Sequence, residues 1–237
     1  MSYAENLELI QLFKGLRVTD VRDGMDTMGY HHYGSVAPCF RPLYRGAAAT
    51  GIARTARFIP YEGPTPHVAP EEYWDWVKTY YAEVNPDPWE ADLQPGDFAC
   101  LDAAECDVGN FGSYNTLKQK RNGCVGGLIN GGARDTDEII QQRIPIWSKF
   151  ISHNMCQARM RYIDKDIPIG IGGVAIYPGD VVVGDGDGVI VVPRKIARDV
   201  AKWARREADS DRIGRQRYYK ALGLPLDDTV MPIADGQ

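Results

Sequence analysis

Arg134 and Asp135 stand side by side just after Gly131 and Gly132, at the end of the apolar run Val125 to Ile129. Arginine offers a planar fork of N–H donors suited to a carbonyl or carboxylate, and aspartate is a hard oxygen ligand for a divalent cation. Val125–Asn130 reads as a short buried strand, the paired glycines as a tight turn where a side chain would block a ligand, and Thr136 to Ile140 as the start of a helix. That order puts the cation and the anion at the carboxyl end of a strand, where open α/β sheets bind ligands. The plainer reading is an exposed Arg and Asp in a surface turn.

Positioning these groups requires strands that alternate with helices. Leu7, Ile10, Leu12 and Phe13 recur at helical spacing within 5–16, and Thr19 and Asp20 are placed to cap a helix running to Met28. Strands are expected over 51–58, 98–102, 125–130 and 180–192, with a further strand-like run over 144–151. The pattern is that of a layered α/β domain, in one piece over 1–207. Residues 208–237 read as a charged helix and a tail that wraps a neighbour or frays.

Prolines 60, 64, 66, 70, 86, 88 and 95 bracket an aromatic helical segment, Glu71 to Tyr81, inside an insert over about 60–95. Its Tyr73, Trp74, Trp76, Tyr80 and Tyr81 suit either a subunit contact, the favoured reading, or a pocket wall.

The 237 residues carry a net charge of −5, with 44% hydrophobic and 25% charged residues, which describes an ordinary globular chain and argues against nucleic acid as a partner. The basic residues between Arg194 and Arg217 alternate with acids, as on a solvated helix face. No stretch is apolar enough to span a membrane and the N-terminus does not read as a signal peptide, so a cytoplasmic location is expected. Five scattered cysteines suggest neither a disulfide framework nor a zinc site, with Cys100 and Cys124 in apolar runs. The Gly184 to Gly188 segment alternates acids and glycines, but it joins two valine-rich runs and reads as a hairpin rather than a calcium loop. Nucleotide-binding glycine motifs are missing.

Several separated segments together resemble the RraA-like family, which includes class II pyruvate aldolases acting on 4-hydroxy-4-methyl-2-oxoglutarate. They are Val18 to Met25, Gly51 to Ala56, Pro95 to Asp97, Gly131 to Asp135, Pro178 to Asp180, and Gly184 to Pro193. The resemblance runs from about Val18 to Ala204 and implies a compact β/β/α fold of the swivelling type, assembled as a homotrimer or homohexamer. It implies that backbone N–H groups of Gly112, Ser113, Tyr114 and Asn115 hold the carboxylate of a small anionic 2-oxo acid. Arg134 would polarise the keto oxygen, and Asp135 would hold Mg²⁺ or Mn²⁺. The reaction implied is retro-aldol cleavage or decarboxylation through an enolate. Two other outcomes stay open: elimination or isomerisation of a sugar acid through the same enolate, or a non-catalytic regulator acting by protein contact, as the family's namesake does on an endoribonuclease.

One position departs from the family. Its aldolases carry an aspartate twenty-one residues before the arginine, and here that position is Ser113. A hydroxyl brings no negative charge to a metal's water shell. Asp107, with Glu105, is the nearest acid that would compensate as a metal ligand. His31 and His32 lie in a loop with a weaker claim to catalysis, His67 and His153 read as structural or exposed, and Arg54 either orders the site's floor or pairs with an internal carboxylate.

Overall fold

In the computed structural model, which describes residues 2–231, helices α1 (Tyr3–Phe13) and α2 (Val18–Thr27) precede the strands β1 (Arg41–Pro42) and β2 (Ala49–Pro60). The insert follows as α3 (Tyr73–Glu83) and a 3₁₀ turn, Pro88–Asp92. Next come β3 (Asp97–Asp102), β4 (Gly109–Phe111), α4 (Ser113–Arg121), β5 (Gly126–Ala133), α5 (Thr136–Gln141) and β6 (Ile146–Ile151). The chain continues through β7 (Met160–Lys165), β8 (Ile169–Ile171), β9 (Val174–Ile176), β10 (Val181–Asp185), β11 (Gly188–Val192) and α6 (Ala197–Ala221).

The main sheet runs β1-β6-β5-β3-β2-β10-β11, with β4 beside β5 and β7 beside the far end of β2. Strands β2, β3, β5 and β6 are parallel, and β10, β11, β7 and β1 join antiparallel. Parallel strands buried on both faces read as continuous apolar runs, as β3 does.

Alternation along each strand sorts side chains into separate cores. Val182, Val191, Phe98, Cys100 and Leu128 pack around Trp147 on the inner face of the curled sheet. Val181, Val183, Ile190, Val192 and Ile52 face the other way, against Phe13, Met25, Val200 and Ala204 of α1, α2 and α6. Ala99, Leu101, Ile129 and Ile146 share that outer face further along, beneath Ile139 of α5 and Trp89 of the insert. Helices α2 and α6 approach so closely that a Cβ at Gly24 would lie 2.6 Å from the Val200 carbonyl oxygen.

Two of the sequence landmarks are the same device. Pro95-Gly96-Asp97 and Pro178-Gly179-Asp180 are turns with the glycine at φ +93°, each leading into a strand. In each the buried aspartate accepts the N–H three residues back, from Gln94 at 2.8 Å and from Tyr177 at 2.9 Å.

Other expectations are corrected. Gly131 and Gly132 do not turn the chain; they lie inside β5, beside a register shift in its pairing with β6, and a Cβ at Gly132 would lie 2.6 Å from the Val108 carbonyl oxygen. The missing side chain of Gly132 admits the neighbouring backbone, and that of Gly131 the Ala103 side chain, rather than a bend. Helix α2 begins earlier than Thr19: Asp20 reaches back to the Arg17 N–H at 2.9 Å, and Asp185 accepts the Val18 N–H at 2.9 Å. The hairpin reading of the acid-glycine segment holds: 180–192 contains two strands with the turn between them, Asp185 opposite Gly188. The 207/208 boundary falls within α6, a single helix whose core-facing side chains end at Ala208. Beyond it, 224–231 turns back on α6 through Gln216 and buried Val230.

Candidate active site

Strand β5 ends at Ala133 and delivers Arg134 and Asp135 to a cavity of about 110 Å³. The strand is held there by β4, whose Phe111 carbonyl accepts the Arg134 N–H at 2.8 Å. Gly109 and Gly112 make this approach possible, since a Cβ on Gly109 would lie 2.4 Å from the Arg134 Cβ and one on Gly112 3.0 Å from the Asp135 carboxylate.

Asp135 occupies the left-handed region, φ 51° and ψ 41°, which aspartate tolerates better than most residues. It is the N-cap of α5, yet its side chain makes no capping bond there. The carboxylate instead crosses to α4: Oδ2 accepts the Ser113 N–H at 3.2 Å, with the Ser113 hydroxyl at 3.5 Å, and Oδ1 lies 3.3 Å from Arg134 Nε. The backbone therefore spends conformational energy to turn an anion toward the first turn of another helix. That turn carries N–H groups without intrahelical partners and the positive end of the helix dipole.

Tyr114 and Asn115, from the same turn, line the cavity with Gly109, Asn110 and Gly112. Met155 and Cys156 close another side. The expected carboxylate cradle and the Arg-Asp pair are thus brought together.

The insert supplies the remaining wall through Tyr81 and Asp87. The aromatic residues serve as its own packing, in a chain of tilted and edge-on ring contacts from Tyr73 through Trp76 to Tyr80 and Tyr81. Tyr80, buried, donates to the carbonyls of Cys156, at 2.8 Å, and Met160, and Tyr81 accepts from Gln157 Nε2 at 3.0 Å. Trp74 faces solvent. A second anchor is buried Glu90, which accepts from Lys118 at 2.6 Å and Gln119 at 2.8 Å, while its carbonyl takes the Asn122 amide. The insert is thereby fastened to α4, the helix whose N-terminus faces the cavity.

Burial and the neighbouring Glu90 carboxylate push the Asp87 carboxyl up to about 7, against the Trp89 indole and the Lys118 ammonium. Burial, with the nearby Asp87 charge, pushes the Cys156 thiol up to about 12. Tyr81 is raised to about 12 by burial, Cys156 and Asp87, with Arg134 opposing.

The other candidates lie elsewhere. Asp107 is outside the cavity lining, its carboxylate receiving Asn154 Nδ2 at 2.9 Å, and Glu105 pairs with Lys149 at 2.6 Å. Arg54 takes the second of its two readings, 3.3 Å from Asp166 and 3.8 Å from Asp97. His31, His32, His67 and His153 are exposed and outside the lining. Asp87 and Cys156 were not singled out as site residues: neither belongs to a periodic pattern or a spaced motif, and both reach the cavity only through tertiary packing.

Among the described residues no three His, Cys, Asp or Glu side chains cluster as a metal site. The donor set, one carboxylate and the Ser113 hydroxyl, is all hard oxygen. It fits Mg²⁺ or Mn²⁺, which keep water ligands and take one or two protein carboxylates, and does not fit the three or four N/S ligands of zinc.

Comparison with known proteins agrees with this architecture. The RraA-like family model, described as Aldolase/RraA, matches residues 18–191. A protein of Halalkalibacterium halodurans named "Putative 4-hydroxy-4-methyl-2-oxoglutarate aldolase" is 26% identical over 235 residues, spanning 98% of this chain and 95% of its own. A Pseudomonas syringae protein of uncharacterized role shares the fold at TM-score 0.71 and 23% identity, covering 95% of this chain and 98% of that one. Streptomyces coelicolor RraAS2, described as an unusual member of the RNase ES inhibitor RraA family, aligns at TM-score 0.70 and 25% identity, over 89% of this chain and 96% of its own. With the match extending over most of the chain and the solved relatives sharing its sheet and helices, the chain belongs to the RraA-like family.

Proposed function

We propose that this protein is a divalent-cation-dependent carbon–carbon lyase acting on a small anionic 2-oxo acid. The observation that carries the reading is the convergence of Arg134, Asp135 and the first turn of α4 on one small cavity. At about 110 Å³ the cavity suits the three-carbon head of a 2-oxo acid rather than a large substrate.

The N–H groups of Gly112, Tyr114 and Asn115 hold the substrate carboxylate at the helix terminus, that of Ser113 being taken by Asp135. The Arg134 guanidinium donates to the keto oxygen, where charge accumulates as the C–C bond beyond it breaks. Asp135, with the Ser113 hydroxyl beside it, would hold Mg²⁺ or Mn²⁺, which would supply Lewis acidity for the developing negative charge. Asp107 would have to leave Asn154 to join it. Retro-aldol cleavage and 2-oxo acid decarboxylation both draw on this arrangement, and the names of the relatives favour the aldolase. Assembly as a trimer or hexamer is part of the proposal by family resemblance, to be checked by light scattering.

The test is pyruvate and carbon dioxide release from a 4-hydroxy-2-oxo acid and from oxaloacetate, with Mg²⁺, Mn²⁺ or chelator. Cation-dependent release is expected, with a loss of about 10²–10³ in Arg134→Ala. Failure to release either product with either cation would shift the assignment to a regulator, which Ser113 at the family's acidic position and the likeness to RraAS2 would then favour.

A further inference from the structure

Retro-aldol chemistry needs a group that takes a proton from the substrate hydroxyl, and the Arg-Asp pair does not offer one. Arg134 is a permanent cation. Asp135 is assigned to the cation in the lyase reading and already accepts the Ser113 N–H at 3.2 Å. Cys156 and Tyr81 line the cavity but keep their protons at neutral pH.

Asp87 is the carboxyl that remains in the cavity lining. It lies between Pro86 and Pro88, so the ring constraint on both sides limits its backbone. The indole N–H of buried Trp89 donates to Oδ1 at 3.3 Å. Tyr81, Cys156 and Arg134 line the same small cavity as Asp87.

We infer that Asp87 is the proton carrier of the site, taking the proton of the C4 hydroxyl of a 4-hydroxy-2-oxo acid and returning it to C3. The inference rests on the lyase reading. As the proton passes to Asp87, the O–H electron pair forms the new C4 carbonyl and the C3–C4 bond breaks. Its electrons move through C2–C3 onto the keto oxygen beside Arg134. The protonated Asp87 then delivers the same proton to C3 as the C2 carbonyl reforms, giving pyruvate; no outside proton donor or oxidant enters.

The surroundings suit a group that exchanges protons near neutrality. Burial and Glu90 on the insert raise Asp87 to about 7; Trp89, and Lys118 from α4, hold it from going higher. Cys156 and Tyr81 of the same cavity and Tyr162 of β7 are neutral groups in this range, and Arg134 is the cation in the cavity lining. A catalytic base is most effective when its pKa lies near the working pH.

Oxaloacetate separates this role from a structural one, because its decarboxylation breaks a C–C bond with no hydroxyl proton to remove. In Asp87→Asn the ratio of aldol cleavage to decarboxylation should fall about a hundredfold, and Asp87→Glu should restore part of it. Cleavage by the wild type should rise with pH through about 7, as the carboxylate form appears, and this limb should vanish in Asp87→Asn. Equal loss of both reactions in a folded Asp87→Asn protein, or loss of neither, overturns the role of Asp87 while leaving the lyase reading intact. A wild type inactive on both substrates overturns the lyase reading and, with it, this assignment.

Discussion

Asp87 retains its proton at a pH where an ordinary aspartate has lost it, and this has a consequence for stability. With its value raised from about 3.9 to about 7, the native state binds a proton the unfolded chain has released. The contribution is fully present below about pH 4 and is lost as pH rises through about 7. Asp87→Asn removes the buried charge, so its melting temperature relative to wild type should rise between pH 4 and pH 8; a constant difference would contradict the shift. The residues of the site were unequally legible. Arg134 and Asp135 could be read from their type and neighbours, because a cation and an anion after glycines at a strand end is a local pattern. Asp87 could not, because nothing local marks it: its position depends on where Trp89 and Glu90 anchor the insert.

At the level of elements, the insert and α4 behave as one unit through Glu90. Glu90→Ala strands the Gln119 amide in a buried place, which costs about 1–3 kcal/mol, and urea unfolding should show that loss. Lys118 is half-exposed and adds little of its own. The contact of α2 with α6 is the opposite case, one where adding atoms harms. Gly24→Ala would normally gain up to about 1 kcal/mol of helix propensity, but its Cβ would press on the Val200 carbonyl, so a net loss of about 1–3 kcal/mol is expected in the same measurement. Strands β2, β3 and β6 were legible to within two residues because apolar and β-branched residues recur along them between turn residues. In β5 the glycines were misread as a turn, since a glycine pair signals equally well a bend and a strand against which another backbone packs.

At the scale of the whole molecule, the C-terminal segment is peripheral. The contacts of 224–231 reach Arg215, Gln216 and Tyr219 on the outer turns of α6, beyond the last core-facing residue, Ala208. Removing the chain from Leu224 onward should leave the main unfolding transition within about 1 kcal/mol of the full chain, because it strips mostly surface contacts; a larger drop in denaturant unfolding would show that the end of α6 supports the sheet. The layered α/β class was legible because the order of apolar runs is a whole-chain property, whereas the curling of the sheet depends on pairings such as β10 with β2, set by residues more than a hundred positions apart. The insert is the crossover between β2 and β3, neighbours in one parallel sheet. A crossover can lengthen or shorten without disturbing the register of the strands it joins, and each doubling of a flexible loop costs only about 0.6 kcal/mol. Chemistry carried on such a segment can be exchanged as a cassette: a different loop between Pro60 and Asp87 that keeps the Trp89 and Glu90 anchors would alter the cavity wall while the strands beneath keep their pairing, so this fold can acquire new specificity without refolding.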